Sequence, residues 1–136
     1  MAASDLEHQL TAFFLDHAHN ALAVYFFGSA ARGTARAKSD IDLGILYEKP
    51  PALTMEEFPL SLESELERIV GRPVQIVVLN HAPVDLVHRV LRDGKLLLDR
   101  DRSARIRFEV KARNEFFDLE GVRQRYRKPR VAASRP

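Results

Sequence analysis

Apolar positions along the chain switch back and forth between a helical spacing of three to four and a strand spacing of two. Ser4-Asp5-Leu6-Glu7 has the spacing of a capping box, and Leu6, Leu10, Phe13 and Phe14 then recur at helical intervals, predicting a first helix through about residue 18. Leu22 to Phe27 is a compact apolar and aromatic run that reads as a buried strand ending at Gly28. Small and polar residues from Ser29 to Ser39 suit a short helix and a turn. From Asp40 to Tyr47 the pattern alternates, with Ile41, Leu43, Ile45 and Tyr47 on one face and Asp40, Asp42, Gly44 and Leu46 on the other. That is a strand carrying two acids on one side.

Lys49-Pro50-Pro51 interrupts the pattern, and Leu62, Leu66, Ile69 and Val70 form the stripe of a second long helix with a stop at Gly71. Val74 to Leu79 reads as a third strand. Pro83 suits the first turn of a helix whose Val84, Val87, Val90 and Leu91 lead to a glycine stop at Gly94. Leu96 to Leu98 reads as a short edge strand. A last helix over about 103–127 carries Ile106, Val110, Phe116 and Phe117 among many arginines, and 128–136 reads as a loose tail. The order predicts an α/β (α+β) fold, a small sheet covered by helices, and leaves the strand order open.

Length and composition narrow the class. A chain of 136 residues, 46% hydrophobic and 29% charged, suits one core, so a single domain over 1–127 is expected. The longest apolar run, Ala21 to Phe27, is too short to cross a bilayer, and the N-terminus lacks a signal-peptide pattern, so a soluble cytoplasmic protein without a membrane partner is expected. Without cysteine, any metal must be held by oxygen or histidine. The net charge of +2 hides an asymmetry: residues 1–99 hold nine Lys and Arg against fourteen Asp and Glu, and residues 100–136 hold twelve against five. The basic end suits either an acidic partner or a solvated helix face. No nucleic-acid-binding module is present, so direct nucleic-acid binding is not expected.

Asp40 and Asp42, two residues apart on a strand, project from the same face and repel each other. A divalent cation removes that cost, and magnesium, an oxygen-seeking ion that keeps substrate phosphates as ligands, fits best. Two such ions can bridge the attacking oxygen and a triphosphate in an in-line displacement. Gly28-Ser29, where the first strand gives way to a helix, allows close backbone approach to a phosphate and offers hydroxyl and N–H donors. Arg32, Arg36 and Lys38 lie in the same stretch, and Arg32, one helical turn past Ser29, is best placed to neutralise a triphosphate. Singly, each part is a common surface feature. Their order is not: an apolar strand, Gly-Ser, ten intervening residues, then Ser-Asp-Ile-Asp-Leu in a second strand.

The stretch GSAARGTARAKSDIDLGIL resembles the signature of the minimal nucleotidyltransferases (MNT) of the DNA polymerase β superfamily, antitoxins that accompany HEPN-domain toxins. The likeness runs on through VQIVVLNHAPVDLVHRVLRDGKLLLDRD into the arginine-rich last helix, over roughly residues 5 to 127. It implies a polymerase β palm-like fold with a mixed sheet. It also implies that Gly28 and Ser29 form the phosphate-binding turn, Arg32 contacts nucleotide, and Asp40 and Asp42 are catalytic magnesium ligands. The implied reaction is transfer of AMP from ATP to a hydroxyl of a HEPN ribonuclease, which the modification silences, as in a type VII-like antitoxin. The alternative is a catalytically impaired nucleotide-binding antitoxin that neutralises its partner by direct binding.

That alternative arises from one departure. Members of the superfamily use a third carboxylate on a neighbouring strand, commonly the Asp of a Val-Asp-Leu-Val segment, and here the segment reads Val74-Gln75-Ile76-Val77. An amide is neutral and accepts no proton from an attacking hydroxyl. Asp85 sits in a Val-Asp-Leu-Val string but on a predicted helix, and Glu48 follows the acidic strand. Neither has further support as a replacement. His17, His19, His81 and His88 show no metal-ligand spacing.

Overall fold

The computed structural model describes residues 3–17, 20–33, 40–49 and 60–134, with side chains from 5 to 127 within those ranges, apart from residue 60. The elements follow the predicted order: α1 (Ala3–Asp16), β1 (Ala21–Phe27), α2 (Gly28–Arg32), β2 (Ile41–Tyr47), α3 (Leu60–Val70), β3 (Val74–Val78), α4 (Val84–Asp93), β4 (Lys95–Asp99) and α5 (Arg102–Ser134). The four strands form one mixed sheet in the order β3-β2-β1-β4. β1 is antiparallel to both β2 and β4, and β2 is parallel to β3.

Strand alternation separates two cores. Val24, Phe26, Ile41, Leu43, Ile45 and Tyr47 turn to one face and pack with Leu6, Leu10 and Phe14 of α1 and Leu66 of α3. Ala23, Tyr25, Phe27 and Leu46 turn to the other and meet Val87 and Val90 of α4 and Ala112 of α5. A register shift between Ala21 and Ala23 lets these two alanines serve opposite cores. Phe14 and Phe26 are fully buried, and each contributes about 1.5–3 kcal/mol by leaving water.

Several local features set the ends. Glu63 of α3 accepts a 2.7 Å hydrogen bond from the Ile76 amide, which occupies a donor on the edge strand β3. The Asn80 side chain bonds both the N–H and the C=O of Tyr47, at 2.9 and 3.0 Å, and closes the end of β2. Arg100 donates to the carbonyls of Ala21 and Phe14, placing its cation at the C-terminus of α1.

The chain differs from the sequence expectation at particular ends. The first strand begins at Ala21, one residue before the expected Leu22, and stops after Phe27 as expected, where Gly28 at φ 82° turns the chain directly into α2. Gly71 does close α3 with a positive φ of 70°. Gly94 instead has φ −79° and is extended, since α4 passes straight into β4. Glycine is required there by space: a Cβ would stand 2.5 Å from the Val90 carbonyl oxygen and 3.6 Å from that of Phe26. α5 starts at Arg102 rather than Ser103, capped by Asp101, whose Oδ1 accepts from the Ala104 N–H at 3.0 Å. It continues through residue 134, over most of the stretch expected to be a loose tail, where Ala and Arg favour helix and only Pro129 lacks an amide donor.

Among the described residues, no helix is long and apolar enough to cross a membrane.

Candidate functional site

The site forms where β1 ends. Phe27 pairs with Asp42 across the antiparallel ladder, so the turn at Gly28 faces the start of β2. A Cβ added to Gly28 would stand 2.4 Å from Asp42 Oδ2, which means the carboxylate occupies the space that any other residue at 28 would fill. The turn and the acid are therefore built against each other. Asp40 precedes β2 by one residue, is exposed, and lies by alternation on the Asp42 side. The Asp42 carboxyl is pushed up from the usual carboxylate range, first by burial and then by the Asp40 charge, with Arg89 opposing.

A cavity of about 240 Å³ opens over this corner, lined by Phe27, Gly28, Arg32, Asp42, Arg89 and Asp93. Sequence reasoning brought Gly28, Arg32 and Asp42 to it and missed Arg89 and Asp93. Both missed residues come from α4, one helical turn apart. Gly44 on β2 makes their approach possible, since a Cβ there would meet Leu79 and Val90 side chains at 3.2 Å. The closeness of Gly94 to Phe26 then sets the C-terminal end of α4 beside the end of β1. The available signal was a basic–acidic pair at i and i+4 just before a glycine, off the apolar stripe of α4. Asp93 is held below the usual carboxylate range, mainly by its hydrogen bond from Arg92 and also by the charges of Arg32 and Arg89. Two guanidiniums thus flank a cavity whose other wall is Asp42.

Ser29 lies in the first turn of α2, half-buried. With five residues, α2 adds little macrodipole, and what it offers an anion is the N–H groups of its first turn. Arg36 and Lys38, expected near the phosphates, lie outside the described residues. Gln75 is the register partner of Asp42 on β3, with Val74 and Ile76 buried on the opposite face. The amide thus stands on the Asp42 side of the sheet.

Other candidates are placed elsewhere. Asp85 makes a 3.0 Å ion pair with Arg123 and ties α4 to α5. Glu48 is exposed beyond β2. His17 stacks on Phe13 and His88 on Phe116. His19 is outside the described residues. Tyr25, read as core, is buried and donates a 2.7 Å hydrogen bond to Glu109 of α5. A second cavity of about 250 Å³, between Leu79, Val87, Phe108 and Ala112, contains neither acid of the pair.

The donor set suits a hard divalent cation: two carboxylates on one side, one raised in pKa by burial and by the other. Among the described residues no group of three or more His, Cys, Asp or Glu is poised around a metal. Magnesium, which retains waters and substrate phosphates as ligands, matches such a pair better than an ion needing an all-protein cage.

Two predictions follow from this geometry. Gly28→Ala is expected to destabilise the protein by about 1–2 kcal/mol through its positive φ and to weaken nucleotide binding at least ~10-fold by displacing Asp42. Gly33→Ala, with φ 73° and nothing within 4 Å, carries only the backbone cost. Thermal melts and nucleotide titrations of both variants separate the two effects. The second prediction concerns pH. Because the folded protein holds the Asp42 proton more tightly than the unfolded chain, this group's stabilisation is present below its unfolded pKa of about 4 and is lost as pH rises through the raised folded value. In EDTA, the Tm of the wild type should therefore fall relative to Asp42→Asn as pH rises towards neutrality. A difference independent of pH would contradict the placement of Asp42.

The mixed four-stranded sheet flanked by helices, with a glycine turn abutting a carboxylate, is a nucleotidyltransferase fold. The model of the polymerase beta nucleotidyltransferase family matches residues 9–103, most of the chain, and the chain belongs to that family. The protein adenylyltransferase MntA of Aphanizomenon flos-aquae is 36% identical over 80 residues, 54% of this chain. That match covers 53% of MntA, so the chain spans about half the length of this curated relative. Among solved structures, a chain of a toxin–antitoxin complex with AMP-PNP superposes with a TM-score of 0.76 at 24% identity, covering 92% of this chain and 98% of its own. A chain of the Shewanella oneidensis complex of MNT antitoxin with tri-AMPylated HEPN toxin gives 0.73 at 21% identity, covering 96% and 99%. These two likenesses establish the fold.

Proposed function

We propose that this chain is a magnesium-dependent protein adenylyltransferase of the cytoplasm that uses ATP to AMPylate a HEPN-domain toxin, and so acts as its antitoxin. The observation that carries this reading is the Gly28 turn built against Asp42, beside a cavity of about 240 Å³ that Arg32 and Arg89 also line. The MntA relative and the AMPylated toxin complex supply the acceptor class.

In this reading the hydroxyl oxygen of the toxin forms a bond to the α-phosphorus of ATP, the bond to pyrophosphate breaks, and the hydroxyl proton leaves to water or to an acceptor-side base. Asp40 and Asp42 would hold magnesium, which would supply charge stabilisation for the phosphates and activation of the attacking oxygen. Gly28 admits the phosphate chain beside Asp42, and the Ser29 hydroxyl and following N–H groups bind its oxygens. Arg32 and Arg89 neutralise the phosphates from the opposite wall. Arg89→Gln is expected to weaken ATP about 10-fold or more and AMP far less, since a charged hydrogen bond to the outer phosphates contributes about 1.5–3 kcal/mol. Equal loss for both nucleotides would remove Arg89 from that role.

Gln75 favours a second reading, in which the chain binds nucleotide but neutralises the toxin by occlusion. Cells expressing the toxin distinguish the two. Asp40→Ala/Asp42→Ala is expected to lose protection while still folding and binding the toxin. Full protection by this variant would favour occlusion and overturn the enzymatic reading.

A further inference from the structure

The outer face of α5 carries an apolar stripe that stays largely exposed, with Phe117 meeting the body only edge-on, at Phe116 and His88. Ile106, Val110 and Phe117 are 39%, 48% and 62% exposed, and at 100° per residue they fall within about 40° of one another around the helix axis. Phe108, Ala112 and Phe116, the residues of α5 turned to the body, lie roughly 100–180° away. The helix thus has two apolar faces, one against α4 and β1 and the other open. A shallow groove along the open side is lined by Ile106, Arg107, Val110, Lys111, Asn114, Glu115 and Asp118.

Charge selects the occupant. Arg102, Arg107, Arg113, Arg125 and Arg127 are exposed along this helix. Most of its acids are already engaged: Glu109 with Tyr25 and Arg105, Glu120 with Arg123, and Glu115 with Lys111. Over residues 102–127 the helix holds eight Lys and Arg against four Asp and Glu, and this net positive charge repels a second copy of α5 and attracts an acidic surface. Shape selects it further. The stripe runs straight for about 16 Å along one helix and offers no free strand edge, so a helix is the element that covers it.

We propose that the Ile106–Val110–Phe117 face of α5 is the docking surface for an acidic, amphipathic helix of a partner protein. The proposal rests on the functional reading only in taking the HEPN toxin as that partner. Docking there sets the partner against the layer formed by α4 and α5, the same layer whose α4 residues Arg89 and Asp93 line the nucleotide cavity.

The experiment uses the full-length chain and its cognate HEPN protein. Val110→Glu/Phe117→Glu is expected to weaken the complex at least 100-fold while leaving Mg-ATP binding unchanged and lowering Tm only slightly, because both side chains lie outside the cores and Phe117 gives up only edge contacts with Phe116 and His88. Arg107→Glu/Arg113→Glu is expected to slow association and flatten its salt dependence. Ile69→Glu, an exposed apolar position on α3 across the sheet, should bind as wild type does. Wild-type affinity in the Val110→Glu/Phe117→Glu variant overturns the docking surface. So does sedimentation showing that the isolated wild-type chain dimerises while this variant is monomeric. An intact complex that transfers no AMP leaves the docking surface standing and overturns the catalytic reading instead.

Discussion

Replacing Asp40 and Asp42 by alanine is expected to lower AMP transfer by at least ~10³-fold, about 4 kcal/mol of barrier, without loss of the fold. The two effects separate because the acids stand outside both apolar cores. Asp42 is held in its folded position at a cost, since burial and the Asp40 charge both disfavour its ionised form. Removing the pair relieves that repulsion, so the metal-free variant should melt no lower than wild type and should show no increase in Tm with magnesium. Asp42→Asn alone should give most of the loss, because Asp42 is the acid in contact with the Gly28 turn. Steady-state transfer and melts with and without magnesium check both halves. Retained transfer would place the chemistry elsewhere in the chain.

The second large effect is a gain. Gln75 is the direct neighbour of Asp42 on the parallel strand β3 and lies on the same side of the sheet. Gln75→Asp adds a carboxylate beside Asp42, where β3 carries none among the described residues. A positioned general base contributes roughly 10²–10⁴-fold, and on an exposed edge strand about 10-fold or more is expected here. The added charge beside Asp42 should also lower the metal-free Tm and make stability depend more strongly on magnesium. Gln75→Asn, which keeps the amide, should show neither change. A Gln75→Asp variant slower than the natural protein would mean that the amide makes a contact of its own with the reactants.

The local pattern made the element order legible because each segment carries its own period. The alternation at Asp40, Asp42, Gly44 and Leu46 against Ile41, Leu43 and Ile45 is enough by itself to set the acids on the side away from the first core. Strand order was not legible, because β4 joins β1 across some seventy residues of chain and nothing local encodes that pairing. The same limit hid Arg89 and Asp93. On α4 they read as ordinary polar positions, and only the close approach of α4 to Gly44 and of Gly94 to Phe26 carries them over the Asp42 carboxylate. Gly94 shows the converse: the sequence marked a helix end there, but the reason for glycine is contact with the Val90 and Phe26 carbonyls rather than a left-handed cap. The open stripe of α5 was visible as apolar residues on a basic helix, and its separation from the packed face needed the helix to be placed on the sheet.

The most direct test of the central claim is the intact mass of the HEPN protein after incubation with this chain, ATP and magnesium. The predicted result is a gain of one or more AMP groups that disappears with Asp40→Ala/Asp42→Ala and with EDTA. An unmodified partner mass in a complex that has formed and binds ATP would contradict it.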